Sequence, residues 1–136
     1  MNRSGCAGGT RDLGEVDERI TRMATALPGG LALRGGTCGL LLGALGSVGL
    51  KYGSVKRSER QLCGKLGLRV YDFFQELTRG KYGTINCRDI SGCDFTKPEE
   101  ASAFYRGSAA QQECAALLAD TVRFVLPLLD DPAAAK

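Results

Sequence analysis

The sequence predicts an all-α fold, built as a single-domain bundle of about four to five helices. Apolar residues recur every three or four positions along most of the chain, which is the period of one helical face. No window shows sustained alternation of apolar and polar residues, the pattern of a half-buried strand. A length of 136 residues suits one compact domain. We divide it into a flexible leader at 1–12, a helical cysteine-rich domain at 13–130 and a tail at 131–136.

The first half of the domain predicts two helices separated by glycine-rich turns. Pro28-Gly29-Gly30 ends the first helix, whose apolar face consists of Leu13, Val16, Ile20, Met23 and Leu27. After the turn at Gly35-Gly36, Thr37 is predicted as the N-cap of a second helix that runs to about Tyr52. Each glycine inside a helix costs about 1 kcal/mol relative to alanine. Four of them on one side therefore predict close approach of another backbone, from this chain or a second copy: Gly39, Gly43, Gly46 and Gly53.

A third helix is predicted from about Ser58 to Gly80. Its buried stripe has the spacing of an amphipathic helix and consists of Leu62, Leu66, Val70, Phe73, Phe74 and Leu77. The segment Cys87–Asp94 follows as a short turn or helix with a thiol at each end.

Two further helix starts are predicted near the C-terminal end. Pro98 is well placed in a first helical turn, and the acids after it suit the positive end of the helix dipole. The last helix begins near Ser108 and is ended by Pro127 and Pro132. Its apolar stripe consists of Cys114, Leu117, Leu118, Val122, Val125 and Leu129.

The composition excludes several classes of function. The chain has no histidine, which rules out a Ser-His-Asp triad, a Cys-His dyad and any histidine-containing zinc or haem site. It has no Gly-Lys-Ser/Thr phosphate loop and no basic stripe with interleaved aromatic residues, so neither nucleotide nor nucleic-acid binding is predicted. The longest apolar run, Cys38 to Leu50, has 13 residues, whereas a membrane span needs about 18 or more. Since no signal peptide is recognised, we expect a cytoplasmic protein, in which cysteines are more often metal ligands or redox thiols than structural disulfides.

Three cysteines carry the strongest chemical signals. Cys38 lies just past the glycine turn at the predicted start of the second helix, where backbone N–H groups stabilise negative charge and lower the pKa of a thiol. Cys87 and Cys93 are separated by five residues, which fits neither a Cys-x-x-Cys redox motif nor a two-residue zinc knuckle. In a loop, however, this spacing allows both sulfurs to face one ion or one partner thiol.

The other three cysteines carry weaker signals. Cys114 shares the apolar stripe of the last helix, so that its periodicity alone indicates a core residue. Cys63 is predicted to be a packing residue of the third helix. Cys6 lies in the glycine-rich leader, where it is either a mobile thiol or accidental.

Four sequence elements in this order resemble one protein family. They are Gly-Thr-Cys-Gly-Leu-Leu-Leu-Gly-Ala-Leu at 36–45, Gly-Leu-Lys-Tyr-Gly at 49–53, Tyr-Gly-Thr-Ile-Asn-Cys-Arg-Asp-Ile-Ser-Gly-Cys-Asp at 82–94, and Cys114 before Ala-Ala-Leu-Leu. Together they resemble the redox-active family named for its C_GCAxxG_C_C pattern, whose members are helical and share four cysteines. A related domain occurs in split-Soret cytochromes, where an iron-sulfur centre accompanies haem. This chain has no Cys-x-x-Cys-His haem attachment site, so the resemblance does not imply a cytochrome.

The resemblance also identifies individual cysteines. It aligns Cys38, Cys87 and Cys114 with three of the family's four characteristic cysteines. The first family cysteine can be matched only to Cys6. The redox activity in the family's name is a label derived from these cysteines.

Three functions follow as hypotheses. The first is an electron-transfer protein that binds an iron-sulfur cluster or another soft metal through Cys38, Cys87, Cys93 and Cys114, with Cys6 as an alternative ligand. Thiolates without histidine suit such metals. The second is a thiol-disulfide redox protein in which Cys38 attacks as a thiolate and Cys87, Cys93 or Cys114 acts as the resolving thiol. Its candidate catalytic residues are Cys38, Cys87 and Cys114. The third is a non-catalytic helical module that binds a redox partner or a transporter-associated protein, or forms a homodimer through the glycine-rich helix.

Overall fold

A computed structural model describes the chain from residue 17 to residue 135. Six α-helices follow one another in this part: α1 (Glu18–Ala24), α2 (Gly39–Tyr52), α3 (Gln61–Tyr82), α4 (Cys87–Ser91), α5 (Pro98–Tyr105) and α6 (Ala109–Asp130). Two short 3-10 turns, Arg57–Glu59 and Pro132–Ala135, complete the elements. The only extended pairing in these residues is an isolated antiparallel bridge between Thr37 and Asn86. The predicted all-α bundle is confirmed, while the leader at 1–12, with Cys6, and the helix positions Leu13 and Val16 lie outside the described residues.

Helix α2 is the central element of the bundle. Apart from Lys51 near its end, it contains no charged residue, and a helix that is apolar nearly all round is stable only when it is buried. Its most extensive contacts are with α3 and α6. These three helices supply most of the buried apolar core, which contains Leu41, Ala44, Val48, Leu66, Val70, Phe74, Leu117, Val125, Leu128 and Leu129.

Helix α3 buries one narrow stripe at a spacing of four residues. Leu66, Val70, Phe74 and Thr78 are the buried positions, and the Thr78 hydroxyl donates to the Phe74 carbonyl at 2.9 Å, so it is satisfied inside the core. The predicted stripe began one turn too early, since Leu62 is 42% exposed. Leu62 lies in the first turn of α3.

Both ends of α3 differ from the prediction by a few residues. The helix begins at Gln61 because Arg57–Glu59 form a separate 3-10 turn. The guanidinium of Arg60 donates to the carbonyls of Ser54 and Val55, which fixes that turn against the preceding loop. At the other end the helix passes Gly80 and stops at Gly83, whose φ of 75° gives the left-handed cap that glycine adopts without strain.

Pro127 does not end α6, contrary to the prediction. The helix continues through it to Asp130, and the Pro127 carbonyl still accepts the Asp131 N–H at 2.9 Å. A proline inside a helix removes one hydrogen bond and costs about 3 kcal/mol. Leu128 and Leu129, both almost fully buried, stabilise the turn that follows and offset this cost.

The glycines of α2 do not all meet another backbone. A Cβ built at Gly46 or Gly49 would have no described atom of another segment within 4 Å, and one at Gly39 would lie 3.9 Å from the Leu27 carbonyl oxygen. The close approach predicted at Gly46 is therefore not found in this part of the chain. A homodimer through this side of the helix remains a prediction.

None of the six helices has the length and apolar character needed to cross a membrane.

Candidate functional site

One antiparallel bridge joins the segments that lead into Cys38, at the start of α2, and Cys87, at the start of α4. On one side of the bridge the Cys38 N–H donates to the Ile85 carbonyl at 2.9 Å, and on the other the Cys87 N–H donates to the Gly36 carbonyl at 2.7 Å. Cys38 then caps α2 and Cys87 is the first residue of α4. The bridge brings together two thiols that are far apart in the sequence.

Helix α6 supplies a third thiol, that of Cys114. Helix α4 packs against α6, and Cys114 itself packs against the core. Burial, and after it the charge of Cys38, raises the pKa of Cys87. Burial also raises the pKa of Cys114, and the charges of Cys38 and Cys87 add to this effect. These three residues, Cys38, Cys87 and Cys114, are here called the thiol cluster.

Burial favours the protonated form of all three thiols of the cluster, since it is the largest cause of each raised pKa. Cys38 is only 7% exposed, and burial is the largest cause of its raised pKa. The N–H groups of Leu40 and Leu41 favour the thiolate, although the sulfur makes no regular capping hydrogen bond, and their effect is smaller. The lowered pKa expected for a thiol at a helix start is thus outweighed by desolvation. Thr37 was predicted as the N-cap of α2, but the N-cap is Cys38. Thr37 instead forms the antiparallel bridge with Asn86.

Cys93 lies beside the cluster, after the left-handed Gly92 that ends α4. It is 6% exposed, and its N–H donates to the Ser91 hydroxyl at 3.2 Å. Its pKa is raised first by burial and then by the charges of Glu100, Cys87 and Asp94. Cys87 is thus the thiol whose charge contributes to the raised pKa of Cys93.

The remaining cysteines stand apart from this arrangement. Cys63 is on α3, half-buried against the core, in keeping with its predicted packing role. Cys6 is outside the described residues. In the part of the chain from residue 17 onward, no three cysteine or acidic side chains lie close enough to hold a metal ion.

A polar network next to Cys114 was not anticipated from the sequence. Glu113 accepts a hydrogen bond from Lys81 at 2.7 Å and another from the Tyr82 hydroxyl at 3.0 Å, which joins the end of α3 to the start of α6. The Glu113 carboxylate also contributes to the raised pKa of Cys114. No sequence pattern signals this network, because its two halves are 31 residues apart.

The Cys114 thiol is expected to make the folded protein less stable at alkaline pH. Burial, followed by the charges of Cys38, Cys87 and Glu113, raises its pKa from 9.0 to about 11. The unfolded chain therefore loses this proton at a pH where the folded protein still keeps it. The stability that results is fully present below about pH 9 and is lost as the pH rises from about 9 to about 11, by up to roughly 2 kcal/mol.

Urea denaturation of the reduced, metal-free protein at about pH 8 and about pH 11 measures this effect. Cys114→Ala is the matched variant, and it should lose less stability over this interval than the wild type. An equal loss in both proteins would contradict the assignment of the effect to Cys114.

Comparisons with known proteins identify one family. The model of the family described as "Putative redox-active protein (C_GCAxxG_C_C)" matches residues 6–128, which include all six cysteines. No curated protein and no solved structure matches the chain.

Proposed function

Because the chain belongs to the C_GCAxxG_C_C family of redox-active proteins, we propose that Cys38, Cys87 and Cys114 bind an iron-sulfur cluster or another soft metal for electron transfer. The observation that carries this proposal is the thiol cluster itself. Three elements that are distant in sequence each contribute one thiol. A backbone bridge sets the Cys38 and Cys87 segments side by side, and α4 packs against α6, which carries Cys114. Packing alone would not require cysteine at all three positions.

The chemistry of the donors fits a soft metal. The chain offers six thiols and no imidazole, and thiolates are preferred ligands of iron-sulfur clusters and other soft metals. In the cluster each thiolate disfavours the ionisation of its neighbours, and a bound cation reverses this effect. Thiols of raised pKa therefore release their protons when the metal binds.

Binding also requires the sulfurs to move towards one another. The described residues contain no group of three ligands that already surrounds an ion. We propose that the sulfurs close around the metal as they lose their protons, so that binding orders the thiol cluster. Cys93, beside Cys87, and Cys6, outside the described residues, are the proposed sources of a further ligand.

When bound, an iron-sulfur centre accepts and returns one electron without a covalent change in a substrate. The chain itself contributes the ligands and shields them from water. Cys38 is almost fully buried, and the apolar core packs around both Cys38 and Cys114. Such shielding strengthens the electrostatic influence of nearby groups on the reduction potential.

A disulfide between Cys38 and Cys87 is the second candidate function. The hydrogen bonds on both sides of the Thr37–Asn86 bridge favour it, because they fix the two backbones next to each other. In this reaction the two thiols would lose two protons and pass two electrons to a disulfide-containing acceptor, which is reduced to two thiols while one S–S bond forms here. We rank it second because the raised pKa of both thiols slows attack at neutral pH.

Metal and sulfide analysis of anaerobically purified protein tests the proposed function. We expect visible absorbance together with iron and acid-labile sulfide, or a stoichiometric amount of another soft metal. A colourless, metal-free protein that also resists anaerobic reconstitution would overturn the metal proposal. A dominant Cys38–Cys87 bridge after mild oxidation of that protein would then support the second candidate.

A further inference from the structure

We propose that Arg88 is a positioning residue that holds together the segments carrying Cys38, Cys87 and Cys93. This inference rests on the proposed thiol centre but concerns the geometry of its thiols and not the metal. Arg88 directly follows Cys87, and its side chain extends to both neighbouring segments.

On one side Arg88 fastens the turn that leads into Cys38. Its backbone N–H donates to the Gly35 carbonyl at 3.4 Å, and its guanidinium approaches the Arg34 carbonyl at 3.5 Å. Gly35 has a φ of 76°, and a Cβ built there would lie 2.8 Å from the Cβ and the Nε of Arg88. The arginine stem therefore covers position 35 so closely that only glycine fits beneath it.

On the other side the same guanidinium reaches the segment after Cys93. Its Nη2 lies 3.7 Å from Oδ1 of Asp94. Asp94 is itself held in place, because Oδ1 accepts hydrogen bonds from the backbone N–H of Thr96 at 3.0 Å and from the Thr96 hydroxyl. One side chain thus links a turn before Cys38 to a turn after Cys93.

Arginine suits this position better than lysine does. Its long stem covers Gly35, and one guanidinium nitrogen, Nη2, approaches both the Arg34 carbonyl and the Asp94 carboxylate. A lysine ends in a compact ammonium on a flexible stem, so we expect it to keep these contacts only in part. The side chain is 53% exposed, and exposed ion pairs contribute about 0–1 kcal/mol to stability. Its removal should therefore disturb the geometry of the thiols far more than the stability of the fold.

Cross-linking of the reduced, metal-free protein with a short bifunctional thiol reagent tests this role. Peptide mapping by mass spectrometry gives the yield of the Cys38–Cys87 cross-link relative to single alkylation at each thiol. We expect Arg88→Met to lower this ratio about tenfold, because a misplacement of about 1 Å can cost up to a hundredfold in a reaction that needs aligned groups. Arg88→Lys should restore part of the ratio.

Arg79→Met is the matched control for the loss of an exposed arginine. Arg79 lies on α3, and its ion pair with Glu76 is long at 3.9 Å and confined to that helix. The ratio in this variant should equal that of the wild type. Asp94→Asn, which removes one of the two contacts and keeps Arg88, should lower the ratio by a smaller factor.

The outcomes separate this inference from the proposed function. A wild-type ratio in both Arg88→Met and Asp94→Asn would overturn the positioning role, whether or not the protein binds metal. A lowered ratio in a protein that binds no metal would support the positioning role while the metal proposal fails.

Discussion

If the protein binds a soft metal as proposed, replacing Cys87 with serine is expected to lower its affinity for that metal more than any other single change. Cys87 lies near the other thiols of the site. After burial, its charge is among the causes of the raised pKa of Cys114 and of Cys93, and the charge of Cys38 adds to the raised pKa of Cys87 itself. A serine hydroxyl is a poor ligand for a soft metal. Even the loss of a residue that only supports a ligand costs about 10–100-fold in affinity, so the loss of a ligand should cost at least that much.

Cys63→Ser is the matched control for this change. It removes the same sulfur atom from a half-buried site on α3 that lies outside the thiol cluster. Competition with a chromophoric chelator, with folding checked by circular dichroism, compares the two variants. Equal affinities in Cys87→Ser and the wild type would contradict the assignment of Cys87 as a ligand.

Phe74→Ala should produce the largest loss of stability. The Phe74 ring is fully buried at the middle of α3, in the core that this helix forms with α2 and α6. Replacing a buried phenylalanine with alanine removes apolar contacts and leaves a cavity, at a cost of about 3–5 kcal/mol. This substitution would destabilise the helical core against which Cys38 and Cys114 pack.

Leu68→Ala on the same helix provides the comparison. Leu68 is 67% exposed, so its truncation should change the free energy of unfolding by no more than about 0.5 kcal/mol. Urea denaturation of the two variants measures the difference. If both cost the same, Phe74 is not at the centre of the core.

Local patterns were sufficient to predict most of the helices. The spacing of Leu66, Val70 and Phe74 predicts α3 because the period of 3.6 residues sets the buried face. The helix-breaking propensity of proline predicted the end of α6 at Pro127. The helix continues to Asp130 because the burial of Leu128 and Leu129 outweighs that propensity. That burial depends on packing between helices, which the periodicity of one segment does not contain.

The sequence singled out candidate thiols but not their chemical state. Local pattern pointed to Cys38, Cys87 and Cys93, whereas Cys114 was selected only by family resemblance, since its periodicity indicates a core residue. Their role as one site stays a prediction. The direction of the Cys38 pKa was not predictable, because the effect of the helix start is local whereas desolvation depends on the tertiary structure. The contact of Arg88 with Gly35 was equally invisible, since a bridge between distant segments creates it.

Alkylation of each cysteine in metal-loaded and metal-free protein, measured by mass spectrometry, tests the central claim most directly. If Cys38, Cys87 and Cys114 form one centre, all three are protected in the loaded protein and become reactive together when a chelator removes the metal. Cys63 should react at the same rate in both states. Independent reactivity of the three thiols, unchanged by loading, would contradict the thiol centre.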